Sequence, residues 1–360
     1  MPRRVLCAAL LVGLAATTTA CSGEPVLHGA RTVTVPAVKA AGFGYPGLEQ
    51  RTLRGARLDG PHYTLAVQWV ATGAKLEQQA ADLLGTSPVR AADGEQLVLA
   101  AVDPARAYAA FPARHDHPVR VSVLVAGHAT SLPRLPVRPA HGSRAPASTQ
   151  LVELSAARGA SVVLKAVDDG HTEELDLRTG RVLVDTYRIE QGEARWDSKV
   201  PVAAYWRGHL QRDSIDALNA VGAENAAASL TTYTPAYGWA PKGRAFLSVP
   251  MPRLVCGLLV CGILHEEFDD AKAFRFQPSH GRPVAAEKGH RDLPLESAGG
   301  EKPGSAVVFE VPDSVTSGTV SLNLAAARLT EPGAHSSRHR GTVSWTRPPG
   351  PLTLSVRLAS

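Results

Sequence analysis

The chain has 360 residues, 44% of them hydrophobic and 20% charged, with a formal net charge of +5 of which two units sit on Arg3 and Arg4 at its start. That length is enough for two domains of ordinary size, each able to bury a core. So small a positive excess, with no dense Lys/Arg run interleaved with aromatics, leaves no electrostatic footprint for nucleic acid.

Arg3 and Arg4 are followed by an apolar run over residues 5–16 and by the small residues Thr17, Thr18, Thr19 and Ala20, just before Cys21. A basic start, a short apolar run and a small-residue zone spell a signal peptide over residues 1–20. The run is about a dozen residues where a spanning helix needs roughly 20. Thr18-Thr19-Ala20-Cys21-Ser22-Gly23 resembles a bacterial lipobox, and the resemblance implies acylation of Cys21 and anchoring at the outer face of the cell membrane. Through this signal and lipobox the chain resembles actinobacterial secreted lipoproteins. An ordinary cleavage site beside a coincidental cysteine is the alternative.

Residues 21–50 are rich in Gly, Pro, Ala and Val without a sustained period, which predicts a tether from membrane to first domain. Period two then sets in. Tyr63, Leu65, Val67 and Trp69 alternate with Thr64, Ala66 and Gln68, predicting a half-buried strand. Leu76, Ala80, Leu83 and Leu84, closed by Gly85, predict a short helix with a glycine stop. Strands are expected over residues 97–102, 119–125, 151–154, 161–167, 172–177 and 182–187, with Asp169-Gly170 as a hairpin turn. Asp213, Ile215, Leu218 and the alanine-rich residues that follow predict a linking helix over residues 213–230. Strands resume over residues 246–249, around Phe274 and Phe276, over 307–311, 320–324 and 343–345, and over 352–358.

Segments of the two halves resemble one another, either as two copies of one β domain or through the chance likeness of alternating strands. Asp93-Gly94 with Leu97 and Leu99 corresponds to Lys242-Gly243 with Phe246 and Ser248; Leu151-Val152-Glu153-Leu154 corresponds to Val308-Phe309-Glu310-Val311; and Gly159 through Leu164 corresponds to Gly318 through Leu322. Short strands, turn residues at regular spacing and Pro/Gly-rich loops predict a mainly β protein of two tandem immunoglobulin-like β-sandwich domains with short helical insertions. The expected boundaries are a β-sandwich at 51–195, a partly helical linker at 196–240 and a second β-sandwich at 241–360.

Chemistry is sparse. Once Cys7 leaves with the signal and Cys21 carries lipid, Cys256 and Cys261 remain, flanked by an apolar stretch at residues 254–264 that reads as a core strand or hairpin. Two thiols outside the cytosol most simply form one disulfide; two buried free thiols or a redox or soft-metal pair are the other readings. His115-Asp116-His117 places two histidines at i and i+2 but lacks a third ligand, and His265-Glu266-Glu267 lacks the second histidine that a zinc helix needs at position 269. No metal, cofactor or catalytic residue is therefore assigned. The aromatics Trp196, Tyr205, Trp206, Tyr233, Tyr237 and Trp239 crowd the expected junction between the halves, and Trp196, Tyr205, Trp206, Tyr237 and Trp239 form the candidate ligand site. The expectation is a non-enzymatic binding or assembly module of the envelope, its partner a protein or cell-wall component. The alternative is an envelope hydrolase or transferase with its active site at the junction.

Overall fold

The computed structural model describes residues 24–36, 44–103, 119–132, 148–196, 199–206, 209–218, 226–256, 262–263, 265–287, 306–330 and 344–359. Within them the protein is mainly antiparallel β-sheet.

The first half begins with β1 (Ala30–Pro36), β2 (Glu49–Thr52), β3 (Arg57–Gly60) and β4 (Tyr63–Gly73). An insertion follows: the ribbon of β5 (Lys75–Leu76) and β6 (Val89–Arg90) with the helix Gln78–Leu84 between them. Then come β7 (Glu95–Asp103), β8 (Arg120–Val125), β9 (His128–Ser131), β10 (Ser148–Ala157), β11 (Val162–Asp168), β12 (His171–Asp176) and β13 (Val182–Val184). One sheet has the order β1-β10-β7-β4-β2, with β3 also on β4; the facing sheet has the order β13-β12-β11-β8-β9. Between them lie Leu65, Val98, Val152, Val123, Leu164 and Leu175, all fully buried. The near-continuous apolar run of β7 has its reason here, because this strand is covered on both faces: Leu97, Leu99 and Ala101 pack under the helix and the chain start, while Val98, Ala100 and Val102 face the other sheet. The helix is held by Ala80, Ala81 and Leu84 and stopped by Gly85 in the left-handed conformation (φ 77°).

The second half contains β14 (Ile189–Trp196), β15 (Lys199–Trp206), β16 (His209–Leu218), β17 (Ala226–Thr231), β18 (Tyr233–Thr234), β19 (Gly238–Trp239), β20 (Arg244–Pro250), β21 (Arg253–Cys256), β22 (Gly262–Ile263) and β23 (His265–Phe268). It closes with β24 (Phe274–Pro278), β25 (Val284–Ala285), β26 (Ala306–Pro312), β27 (Ser317–Leu322), β28 (Ala327–Thr330), β29 (Ser344–Trp345) and β30 (Leu352–Leu358). An eight-stranded sheet, β25-β24-β27-β30-β14-β17-β20-β26, curls around a core that also receives Val200, Val202 and Leu254 from a five-stranded sheet, β22-β21-β16-β15-β29.

One antiparallel pairing scheme occurs twice. The ladders β2–β4, β4–β7, β7–β10, β8–β9, β8–β11 and β11–β12 recur, in the same chain order, as β14–β17, β17–β20, β20–β26, β24–β25, β24–β27 and β27–β30. The segments that resemble each other in sequence fall on equivalent strands: β7 with β20, β10 with β26, β11 with β27. Their inward residues match too, with Val98 and Ala100 answered by Leu247 and Val249, and Val152 and Leu154 by Phe309 and Val311. The copies differ in their insertions and in one closure, since β14 also pairs with β30.

Several expectations are corrected. Residues 30–36 and 49–50, read as tether, belong to the strands β1 and β2 of the first sheet, whose backbones pair along their length with β10 and β4. The helix expected over 213–230 is instead the end of β16 and all of β17, apart from residues 219–225, which lie outside the described residues. Alanine's helix propensity is outweighed there by the neighbouring strands β14, β20 and β15. β14, assigned from sequence to the first half, pairs with strands of the second. Trp69 does not share a face with Tyr63, Leu65 and Val67: a bulge between Val67 and Trp69 turns it to the helix side. The hairpin around the cysteines is present as β21 paired with β22, while Cys261 lies outside the described residues.

Candidate functional site

The junction of the two copies is built from three tight turns. Gly60 pairs with Tyr63, which puts Pro61 and His62 at a two-residue hairpin tip. Gly60 is required there, because a Cβ would overlap the ring of Tyr63. Asp168 pairs with His171 across Asp169 (φ 49°) and Gly170 (φ 84°), the left-handed pair that a two-residue turn of this hand needs. From the second copy comes the ribbon β18–β19, carrying Tyr233 opposite Trp239.

These turns meet on His62. Its Nδ1 lies 2.9 Å and 3.0 Å from the two carboxylate oxygens of Asp168, and its Nε2 lies 3.1 Å from the Tyr233 hydroxyl. One ring nitrogen thus faces the carboxylate and the other the phenol hydroxyl. His62, Asp168 and Tyr233 are 5%, 2% and 5% exposed. Beside them Trp239 stacks on His171, with centroids 3.9 Å apart and planes at 13°, and meets Tyr187 and Tyr233 edge-on. The Trp239 indole nitrogen is buried without a hydrogen-bond partner among the described residues.

Behind the hairpins lies a group of acids. Glu173 accepts hydrogen bonds from the backbone N–H and hydroxyl of Thr186, at 2.6 Å and 2.7 Å, and from Tyr187 N–H at 2.8 Å. Burial outweighs these bonds and pushes its carboxyl up to about 7. Asp185 is raised as well, by burial and then by the charge of Asp59. The Tyr63 hydroxyl is fully buried and lacks a partner among the described residues; burial, followed by the charges of Glu173, Asp168, Asp59 and Asp185, drives its ionisation far upward.

No family model, curated protein or solved structure matches this chain. The geometry alone therefore speaks for the site.

Of the aromatics expected there, Trp239 and Tyr233 are at the junction. Trp196 is not: it lies in the core of the second copy, its indole N–H donating to Pro250 O at 3.4 Å. Tyr237 stacks on Phe246, and Tyr205 stands 46% exposed on β15. The side chain of Trp206, like His115 and His117, lies outside the described residues. The candidate ligand set is thus dispersed, because strand alternation sends Trp196 inward and Tyr205 outward. The sequence offers no sign that His62, His171 and Tyr187 belong here beyond Pro-His and Asp-Gly at hairpin tips, and Asp168 stands out there only as half of an acidic pair.

The carboxylate–imidazole–hydroxyl order has the form of a proton relay. Every member is buried, however, and each polar atom of His62 is satisfied by a partner from another turn, so the array acts as a clamp across the junction. No group of three or more His, Cys, Asp or Glu suited to a metal occurs among the described residues. A cleft of about 390 Å³ lies elsewhere, at the end of the first copy where the chain enters, lined among others by Leu27, Ala92, Ala157, His28 and His128. On its wall Ser155 donates to Glu95 and accepts from Ala92 N–H.

Proposed function

We propose that the protein is an exported envelope lipoprotein, acylated at Cys21 on the outer face of the cell membrane, that works as a non-enzymatic binding or assembly module for an envelope protein or cell-wall component. The observation that carries this reading is the buried contact at the junction, in which His62, held by Asp168, meets Tyr233 of the other copy. The rival reading, a hydrolase or transferase at the junction, would use the same three groups, all of them buried. The finer fold reading is two immunoglobulin-like β-sandwich domains. It is supported by the order β4-β7-β10 facing β9-β8-β11-β12, the A-B-E and C′-C-F-G arrangement of that fold, and by the recurrence of this order in the second copy. Cys256 and Cys261 would close the β21–β22 hairpin by a disulfide.

The test is twofold. Intact mass of the membrane-extracted protein should find a diacylglyceryl thioether on Cys21, and Cys21→Ser should release the chain from the membrane. Photo-crosslinking from Tyr205, exposed on the five-stranded sheet, should give a discrete adduct with one envelope component. Turnover of a wall polymer that is abolished by His62→Ala, with the fold intact, would replace the binder by the enzyme.

A further inference from the structure

We propose that the chain-entry end of the first copy, formed by residues 24–27 and the insertion at residues 75–90, is seated directly on the bilayer surface, with lipid headgroups as its partner. This rests on the reading of Cys21 as the acylated residue.

The chain is fixed almost from its anchor. Val26 bridges Arg90, Leu27 N–H donates to Arg90 O at 2.9 Å, and Arg90 N–H donates to Pro25 O at 3.1 Å. Leu27 is 5% exposed and joins the core of Leu76, Ala80, Leu84 and Val89 beneath the insertion. Lys75 Nζ lies 3.8 Å from the Glu24 carboxylate. Cys21 precedes Glu24 by three residues, a reach of about 11 Å at full extension. A free tether of some 30 residues would have allowed roughly 30 Å. The short reach leaves this end no freedom to stand off the lipid.

The surface presented there suits an interface. The helix Gln78–Leu84 turns Ala80, Ala81 and Leu84 inward and leaves Leu83 51% exposed, the most exposed of the large apolar side chains among the described residues. Gln78, Gln79 and Asp82 of the same helix, and Lys75 just before it, are exposed as well. The cleft lined by His28 and His128 lies at the same end.

The repeat gives this end its direction. In the first copy the β4–β7 connection forms the insertion that grips the chain start. In the second copy the equivalent β17–β20 connection forms the β18–β19 ribbon, which carries Tyr233 and Trp239 onto the opposite end of the first copy. The copies therefore stack head to tail. β4, 11 residues long, alone separates the seated end from the junction by about 33 Å.

Two native lysines read the arrangement: Lys75, on the seated insertion and 45% exposed, and Lys242, exposed three residues beyond Trp239. The membrane-extracted full chain, reconstituted in phosphatidylethanolamine/phosphatidylglycerol vesicles, is treated with an amine-reactive acylating reagent and compared with the soluble Cys21→Ser chain. Headgroup cover is expected to slow labelling of Lys75 about fivefold and to leave Lys242 unchanged. Inserting about 30 Gly/Ser residues after Gly23 should restore Lys75 labelling on vesicles. If mass analysis finds lipid on Cys21 and Lys75 still labels equally in both states, the seating is wrong and the lipoprotein reading survives. If Cys21 carries no lipid, both fall.

Discussion

His62 Nε2 lies 3.1 Å from the hydroxyl of Tyr233, a residue 171 positions away in the other copy, while its Nδ1 is held by Asp168 in its own copy. One imidazole thereby joins a hairpin tip, a neighbouring hairpin and the second repeat.

Removing that imidazole strands a buried carboxylate. His62→Ala should destabilise the protein by about 3–5 kcal/mol, against about 1 kcal/mol for Tyr233→Phe. Calorimetry should show the loss, and in His62→Ala the single transition expected of the native protein should split in two as the copies uncouple. A double-mutant cycle between the two substitutions should return a coupling of about 0.5–3 kcal/mol. Additivity would mean that the contact carries no energy.

Glu173 makes stability depend on pH near neutrality. With its carboxyl raised from 4.5 to about 7, the folded protein retains a proton that the unfolded chain releases. Stability from this group is therefore greatest below about pH 4.5, falls as pH rises towards 7 and is level above that, a total of roughly 1–3 kcal/mol. Glu173→Gln should flatten the neutral part of the profile in urea unfolding measured from pH 5 to pH 8. An unchanged slope would assign the effect to another group.

Gly60 tests the packing of the hairpin that presents His62. A methyl group there would overlap the Tyr63 ring, which is fully buried and has nowhere to go. Gly60→Ala should cost about 2–4 kcal/mol, whereas Gly127→Ala, at an open turn with φ 85°, should cost about 1 kcal/mol from backbone strain alone.

Trp239 carries the apolar share of the junction. Trp239→Ala should lower stability by about 3–5 kcal/mol and expose the connection at residues 185–188 to proteolysis, because the ring covers both His171 and Tyr187. Resistance to protease equal to that of the native protein would show that the clamp around His62 suffices.

Much of the architecture was readable in the residues themselves. Alternation marked β4, β27 and β30; the Asp169-Gly170 turn and the Gly85 helix stop announced themselves through residues suited to left-handed backbone; and the resemblance of residues 93–99 to 242–248 fell on equivalent strands. These are local properties, written in side-chain period and turn chemistry. The strand character of residues 213–230 was hidden because alanine prefers helix unless neighbouring strands supply partners for its backbone. The strands within residues 30–52 were hidden because edge pairing makes little demand on side chains. The site was hidden for the same reason at longer range. His62, Asp168 and Tyr233 have no sequence relation to one another; only the head-to-tail stacking of two copies, driven by burial that no single strand reveals, brings an imidazole, a carboxylate and a phenol within hydrogen-bond distance.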